Sequence, residues 1–537
     1  MNKNTSRFLI AGLLIAWAVD FFFFNKPFGI AFTLWIIIAI AGLFILSYLE
    51  KKKPHPLSIL LAGLALVLSS ASFLRQEPFT QVVSTLASLG LLMLLAMTFS
   101  NGHWLYFRLL DYIIRGIKWI ISILASSWQI IFQKSKENDT DGKDDPANFQ
   151  ARKSNKIWPI VRGILLALPF LLILSALLAA ADPIFEQKLS DLLAIFNIEN
   201  LPEYFFRTIN ILMMAYLFIG VLVQAIYPKT AEERPQPNQP SIKKFLGSLE
   251  TSIVLGSIII LFASFLIIQF RYFFGGVANI NETAFTYSEY ARRGFGELIT
   301  VAVLSLGIYY LFHSITKLET KSLRRRFSIF SIFIFLQVLV MLVSSYQRLV
   351  LYEQAYGFSR LRTYSHLFLP WIAVLIITVI VLEILQRQGH LAFSLLIFAT
   401  GFVATCIIFN IDGFIAKQNI ERAKISSKEG YALDFYYLSE LSSDAVPIMM
   451  NEFLSADPSY KDLLGANLAC RWNAIQNSKH RPWQAYNLSY QQATNLLSEN
   501  QEYWKPYQVK KSENDFQYTV EVNGEKFFCS YEWLFRD

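Results

Sequence analysis

The chain has 537 residues, of which 54% are hydrophobic, 15% aromatic and only 16% charged, with a mean hydropathy of +0.39. That is more apolar and less charged than an ordinary soluble domain, and the repeated long apolar runs identify an all-α polytopic membrane protein. The net charge of +8 calls for no nucleic acid, because Lys and Arg beside helix ends also meet anionic headgroups.

A spanning helix needs roughly 20 mostly apolar residues, and about eleven runs meet that length. They cover 8–24, 28–48, 57–74, 81–99, 157–181, 205–227, 249–274, 293–316, 327–349, 367–386 and 391–411. The first follows Lys3 and Arg7 as a signal peptide would. It continues through Phe21–Phe24 with no polar region after a small-residue site, so it reads as an uncleaved helix. Basic residues are retained in the cytoplasm. Lys3 and Arg7, Lys51–Lys53, the 100–156 segment, Lys243 and Lys244, and the group from Lys321 to Arg326 therefore mark cytoplasmic loops. The expected location is a bacterial cytoplasmic (inner) membrane, crossed many times, with the N-terminus inside and the C-terminal domain extracytoplasmic.

The spans and breaks divide the chain into a four-helix front end (1–99), a cytoplasmic amphipathic helix and polar linker (100–156), a two-helix segment (157–227), a cytoplasmic linker (228–248), a five-helix core (249–411) and an extracytoplasmic domain (412–537). Between His103 and Phe132, Trp and Ile alternate with Arg108, Arg115 and Lys118, as in a helix lying in the membrane interface. The C-terminal domain opens with helical spacing at Leu433, Tyr437, Leu438 and Leu441, repeated around Leu463, Leu464 and Leu468. It closes on two strand-like runs around Asn523-Gly524, the strongest short hairpin signal. The domain is thus expected to be mostly helical and to end in a β-hairpin. Cys470 and Cys529 within it either form a disulfide or remain buried thiols. There is no metal spacing of the C-x-x-C kind, and no metal or cofactor is expected.

Ionisable groups at the outer helix ends form the candidate site. Thr286-x-x-Glu289 matches a capping box, placing a helix start near Tyr287. Glu289, Arg293 and Glu297 then share one stripe at four-residue spacing, with Arg292 beside it. Arg271 closes the preceding span. Arg348 ends the one after, continuing through Tyr352, Glu353, Tyr356, Arg360 and Arg362. If the segments pack together, Arg exceeds Glu, and a guanidinium cluster suits phosphate or carboxylate. The structural alternatives are an internally paired stripe and an aromatic and Arg belt at the headgroup level. Asp20 and Glu383, inside apolar runs, read as wetted helix ends, with a proton relay as the alternative.

The Tyr287–Phe295 and Ala355–Arg362 strings, with Gln269–Gly276, Tyr352–Thr363 and Asn419-Ile420-x-Arg422, resemble a bacterial membrane family designated domain of unknown function 4173, over roughly residues 160–450. That resemblance implies a polytopic bacterial membrane protein and no particular activity.

No phosphate loop, His-Glu-x-x-His or Gly-x-Ser-x-Gly motif occurs. The leading expectation is a non-enzymatic protein binding an anionic headgroup or small solute at the Arg/Glu/Tyr cluster, for transport or sensing. Its partners would be membrane lipids and an anionic small molecule, not nucleic acid. The alternatives are a membrane enzyme acting on a lipid-linked substrate, with Glu289, Glu297 or Glu353 as general base, and a sensor or scaffold working through the C-terminal domain.

Overall fold

The structure is a computed structural model that describes residues 5–132, 201–228, 244–273, 295–426, 433–456, 458–478, 481–511, 518–522 and 524–529, with scattered positions between 175 and 188. Among the described residues, ten helical stretches are long and apolar enough to cross a membrane, Pro56–Leu74 counting as one. They coincide with ten of the expected runs, and the run at 157–181 lies outside the described residues.

Following the chain, α1 (Thr5–Phe23), α2 (Ile30–Leu49), α3 (Pro56–Ser69), a single turn α4 (Ala71–Leu74) and α5 (Pro78–Thr98) form the front end. Helix α6 (Leu109–Phe132) leaves Ile113, Ile117, Ile121, Leu124 and Trp128 exposed. Then come α7 (Leu201–Ile226), α8 (Ser248–Phe273), α9 (Phe295–Ile315), α10 (Lys321–Tyr356), α11 (Arg360–Ile384) and α12 (Leu391–Ile408). Helix α13 (Ile411–Ser426) leads into α14 (Phe435–Glu440), α15 (Val446–Leu454), α16 (Pro458–Asn477) and α17 (Leu488–Glu499).

Proline and a capping side chain start two of the membrane helices. His55 accepts from the Leu57 N–H at 3.2 Å ahead of Pro56, and the Glu77 carboxylate accepts from Phe79 and Thr80 at 3.1 and 2.7 Å ahead of Pro78. Proline at the first helical position costs nothing, because its missing N–H would be unsatisfied there anyway.

Two compact units are distinguished, residues 1–20 with 124–220 and residues 21–123 with 221–537. In the first, Arg207 of α7 grips Asp20 of α1 through contacts of 2.6 to 3.2 Å. Asp20 is therefore an ion-paired residue and not the wetted helix end expected of it. In the second, α10 packs against α8, α9 and α11 around a core that includes Phe335, Val338, Leu349, Ile376 and Val379. At 36 residues α10 is about 54 Å long at the usual rise. It outruns the ~30 Å hydrocarbon core, so Tyr352–Tyr356 belong to a stem that projects beyond its apolar stretch.

The C-terminal part buries Leu438, Leu441, Met449, Leu464 and Leu468 in one core with Ile415 and Ile420 of α13. It closes on an antiparallel sheet, β1 (Val509–Lys511), β2 (Tyr518–Val522) and β3 (Glu525–Phe528). The expected hairpin is β2–β3, pairing Val522 with Glu525 around Gly524 at φ +85°. The added strand β1 pairs Val509 with Val520. Val520 and Val522 face Phe435, Ala466 and Cys470, and Cys470 is joined to Cys529 in a disulfide with Cα atoms 5.5 Å apart.

Candidate functional site

The corner between α4 and α5 carries Arg75, Gln76 and Glu77, three polar residues between apolar helices. It meets the start of α11, the end of α12, the start of α13 and the turn after α14, and six buried or half-buried charges gather there. Asp412, fully buried, takes both Arg360 nitrogens at 2.9 and 2.7 Å and the Ser442 N–H at 2.6 Å. The Arg360 guanidinium also donates to the Glu440 carbonyl at 2.9 Å and lies 3.9 Å from Glu77. Glu77 accepts from the Tyr364 hydroxyl, which also lies 3.0 Å from Thr80 Oγ1.

Asp444 binds the corner from the C-terminal side. Its Oδ2 accepts from the Gln76 and Glu77 N–H groups at 2.7 and 3.0 Å and contacts Ser442 Oγ at 3.0 Å, while Arg75 stands 3.6 Å from Oδ1. Arg75 uses its other nitrogens on the Ile407 and Ile408 carbonyls, both at 2.8 Å. These are orphan acceptors at the end of α12, where a cation is favoured by the helix dipole. Burial pushes the Asp444 carboxyl up from its ordinary range, against the pull of the Gln76 N–H and of Arg75. Arg471, with 2% of its surface exposed, donates to the Leu438 and Leu441 carbonyls at 2.7 and 2.8 Å. Burial lowers it to about 10, still charged at neutral pH. Three guanidinium groups thus face three carboxylates, and each carboxylate is capped by hydrogen bonds that offset its desolvation.

Along the rim of this balanced cluster opens a cavity of about 510 Å³. Lys26, Arg360, Arg481 and Glu440 line it together with Phe28, Val82 and Leu86. Those three apolar side chains are 57 to 64% exposed. The lining thus offers cationic groups to an anion and apolar surface to hydrocarbon.

The expected site residues that the structure describes fall in several places. Arg360 sits in the charge cluster. Arg362, two residues on, stacks 4.0 Å over the Tyr352 ring and 5.9 Å from Tyr356, and it donates to the Tyr356 carbonyl at 3.3 Å and to the Gly357 carbonyl. Glu353, buried, is 3.1 Å from His366 Nδ1. Asn419 accepts from the Phe358 N–H at 2.7 Å and Arg422 donates to the Ala355 carbonyl at 2.6 Å, closing the α10–α11 turn. Gly357 is required there. Its φ is +76°, and a Cβ would lie 2.7 Å from Asn419 Oδ1 and 2.8 Å from Arg422 Nη1. Arg348 is half-buried on α10 and Glu297 exposed in the first turn of α9. Tyr287, Glu289, Arg292 and Arg293, and the side chain of Arg271, lie outside the described residues.

Sequence reasoning missed Glu77, Asp412, Asp444, Arg471, Lys26 and Arg481. A signal existed for Glu77, which precedes Pro78 as a helix cap does. None existed for pairings such as Glu77–Tyr364, 287 residues apart.

Fold and site together define an integral membrane protein of many apolar helices whose C-terminal domain is clamped to the helix ends by buried ion pairs. The family model described as "Domain of unknown function (DUF4153)" matches residues 57–452, and the chain belongs to that family. The family differs from the one numbered 4173 that the short strings resemble, and its match starts well before residue 160, taking in the α4–α5 corner. No curated protein and no solved structure matches the chain.

Proposed function

We propose that this is a bacterial inner-membrane protein that binds an anionic lipid headgroup or small anionic solute in the cavity beside Arg360, for transport or sensing. The observation that carries this reading is the cavity itself, lined by Lys26, Arg360 and Arg481 together with exposed Phe28, Val82 and Leu86. Its volume of about 510 Å³ falls in the range of small-molecule sites, roughly 300–1,000 Å³. Arg360, which already binds Asp412, and Arg481, stacked 4.0 Å over the Tyr490 ring, supply positive charge, and Lys26, which donates to the Phe21 carbonyl at 2.6 Å, adds a compact point charge. Val82 and Leu86 sit one turn apart on α5, so a hydrocarbon chain would lie along that helix while its headgroup meets the cations. The distribution of Lys and Arg among the loops supports an inside N-terminus and an extracytoplasmic cavity.

Native mass spectrometry of the gently solubilised protein tests this, comparing wild type with a Lys26→Ala, Arg481→Ala double variant. A co-purifying anionic lipid or solute in wild type, lost from the folded variant, is the expected result. The same occupancy in both, or no bound anion in either, would refute the reading. Supplying soluble glycerol phosphate separates the two ligand sources. If it displaces the bound species the headgroup alone is recognised, and if not the hydrocarbon wall contributes.

A further inference from the structure

At the other end of α11 from Arg360, about 35 Å away along the helix, Glu383 is completely buried. It is not the wetted helix end that its sequence position implies. Oε1 accepts from the Tyr309 hydroxyl at 2.8 Å, and Oε2 accepts from Ser328 Oγ at 2.9 Å and Gln388 Nε2 at 2.7 Å. Every partner is neutral, and no Lys or Arg forms an ion pair with Glu383 among the described residues. The residue also lies in the last turn of its own helix, the end of the dipole that disfavours negative charge. A carboxyl at such a position in a membrane helix is costly if permanently charged and is a functional candidate by default.

We infer that Glu383 is an exchangeable proton-binding site, formed where α9, α10 and α11 meet. Its surroundings suit both protonation states. Tyr309 and Ser328 carry hydroxyls, which donate to a carboxylate and can turn to accept from a carboxylic acid. Neither state therefore leaves a buried group unpaired, whereas a site designed around an ion pair would lose its partner on protonation. Access is short. Gln388 touches Glu383 directly, and Gln386, which is exposed, donates to Ser328 Oγ at 3.0 Å. Among the described residues, the other titratable or charged groups facing the site are His313, whose ring centroid is 5.9 Å from that of Tyr309, with Lys244, Arg108 and Arg324 acting on it through space. These cations stand outside the hydrogen-bonded shell of Glu383. The proton is the ligand, and the inference stands independently of the cavity near Arg360.

Dicyclohexylcarbodiimide, an apolar probe, reads a protonated membrane carboxyl. The carboxyl O–H adds across a C=N bond, and acyl migration to nitrogen leaves a stable N-acylurea with no group lost. The full-length protein in detergent is treated in acidic and alkaline buffers and the adduct located by peptide mass spectrometry. The expected result is an adduct on Glu383 in acidic buffer that is lost in alkaline buffer, with none at that position in a folded Glu383→Gln variant. No adduct on Glu383 in the folded protein at any pH, where the detergent-denatured chain is labelled, overturns the inference. A second variant, Tyr309→Phe, removes one hydroxyl while keeping the ring. A displaced pH midpoint of labelling supports the site, and a midpoint identical to wild type overturns the role of this network.

Discussion

Replacing Arg360 by Met tests whether the buried ion pairs hold the C-terminal domain to the membrane helices. The substitution keeps most of the side-chain length and removes two charge-assisted hydrogen bonds to Asp412, at 2.9 and 2.7 Å. Breaking one partner of a buried pair costs about 3–5 kcal/mol, because the remaining charge stays desolvated. Asp412 has no exposed side-chain surface, but Arg360 is 27% exposed and Asp412 keeps the Ser442 N–H at 2.6 Å. Both facts place the loss at the lower end, about 3 kcal/mol. The expected double variant, Arg360→Met with Asp412→Leu, recovers at least about half of that, since replacing a whole buried pair by apolar side chains is often neutral. Denaturant titration followed by the fluorescence of the buried Trp504 in the C-terminal core reads the change. A single variant within about 0.5 kcal/mol of wild type, the scatter of an ordinary surface substitution, would refute the reasoning. So would a double variant that loses the sum of both single losses.

Three further outcomes are expected. Tyr364→Phe removes the hydroxyl that donates to Glu77 and contacts Thr80, and a loss of about 1–3 kcal/mol is expected for a buried bond to a carboxylate; thermal unfolding that matches wild type would show the bond to be idle. Reducing the Cys470–Cys529 bridge, which closes a loop of 59 residues in sequence separation, is expected to destabilise the C-terminal domain by about 4 kcal/mol in the chain-entropy account, read as faster proteolysis with reductant and absent in a double alanine variant. Because burial raises the Asp444 carboxyl above 3.8, the stability it contributes is full below that value and is lost as pH rises through its folded range. The stability of wild type relative to Asp444→Asn should therefore grow as pH falls from neutral, and a pH-independent difference between the two unfolding curves would contradict this.

What the sequence by itself determined is what depends on neighbours within a few turns. Crossing a membrane requires each segment to satisfy its own backbone hydrogen bonds, so an apolar run of sufficient length declares its helix regardless of the remaining chain. Ten such runs are helices in the structure. The Asn523-Gly524 turn is equally local, and β2 and β3 flank it. Tyr352, Tyr356 and Arg362 meet across one short turn, and so the sequence spacing anticipated their company. Tertiary structure decided the rest. Arg360 and Arg362 begin the same helix, yet one answers Asp412 and the other stacks on tyrosine, a division that spacing cannot encode. Asp444 reaches backbone groups 367 and 368 residues away, and Glu383 finds Tyr309 across 74. A carboxylate in a polar turn looks the same whether it faces water or a guanidinium. Only the packing of α4, α11, α12 and α13 at one corner removes the water, and with it the freedom of those charges to go unpaired.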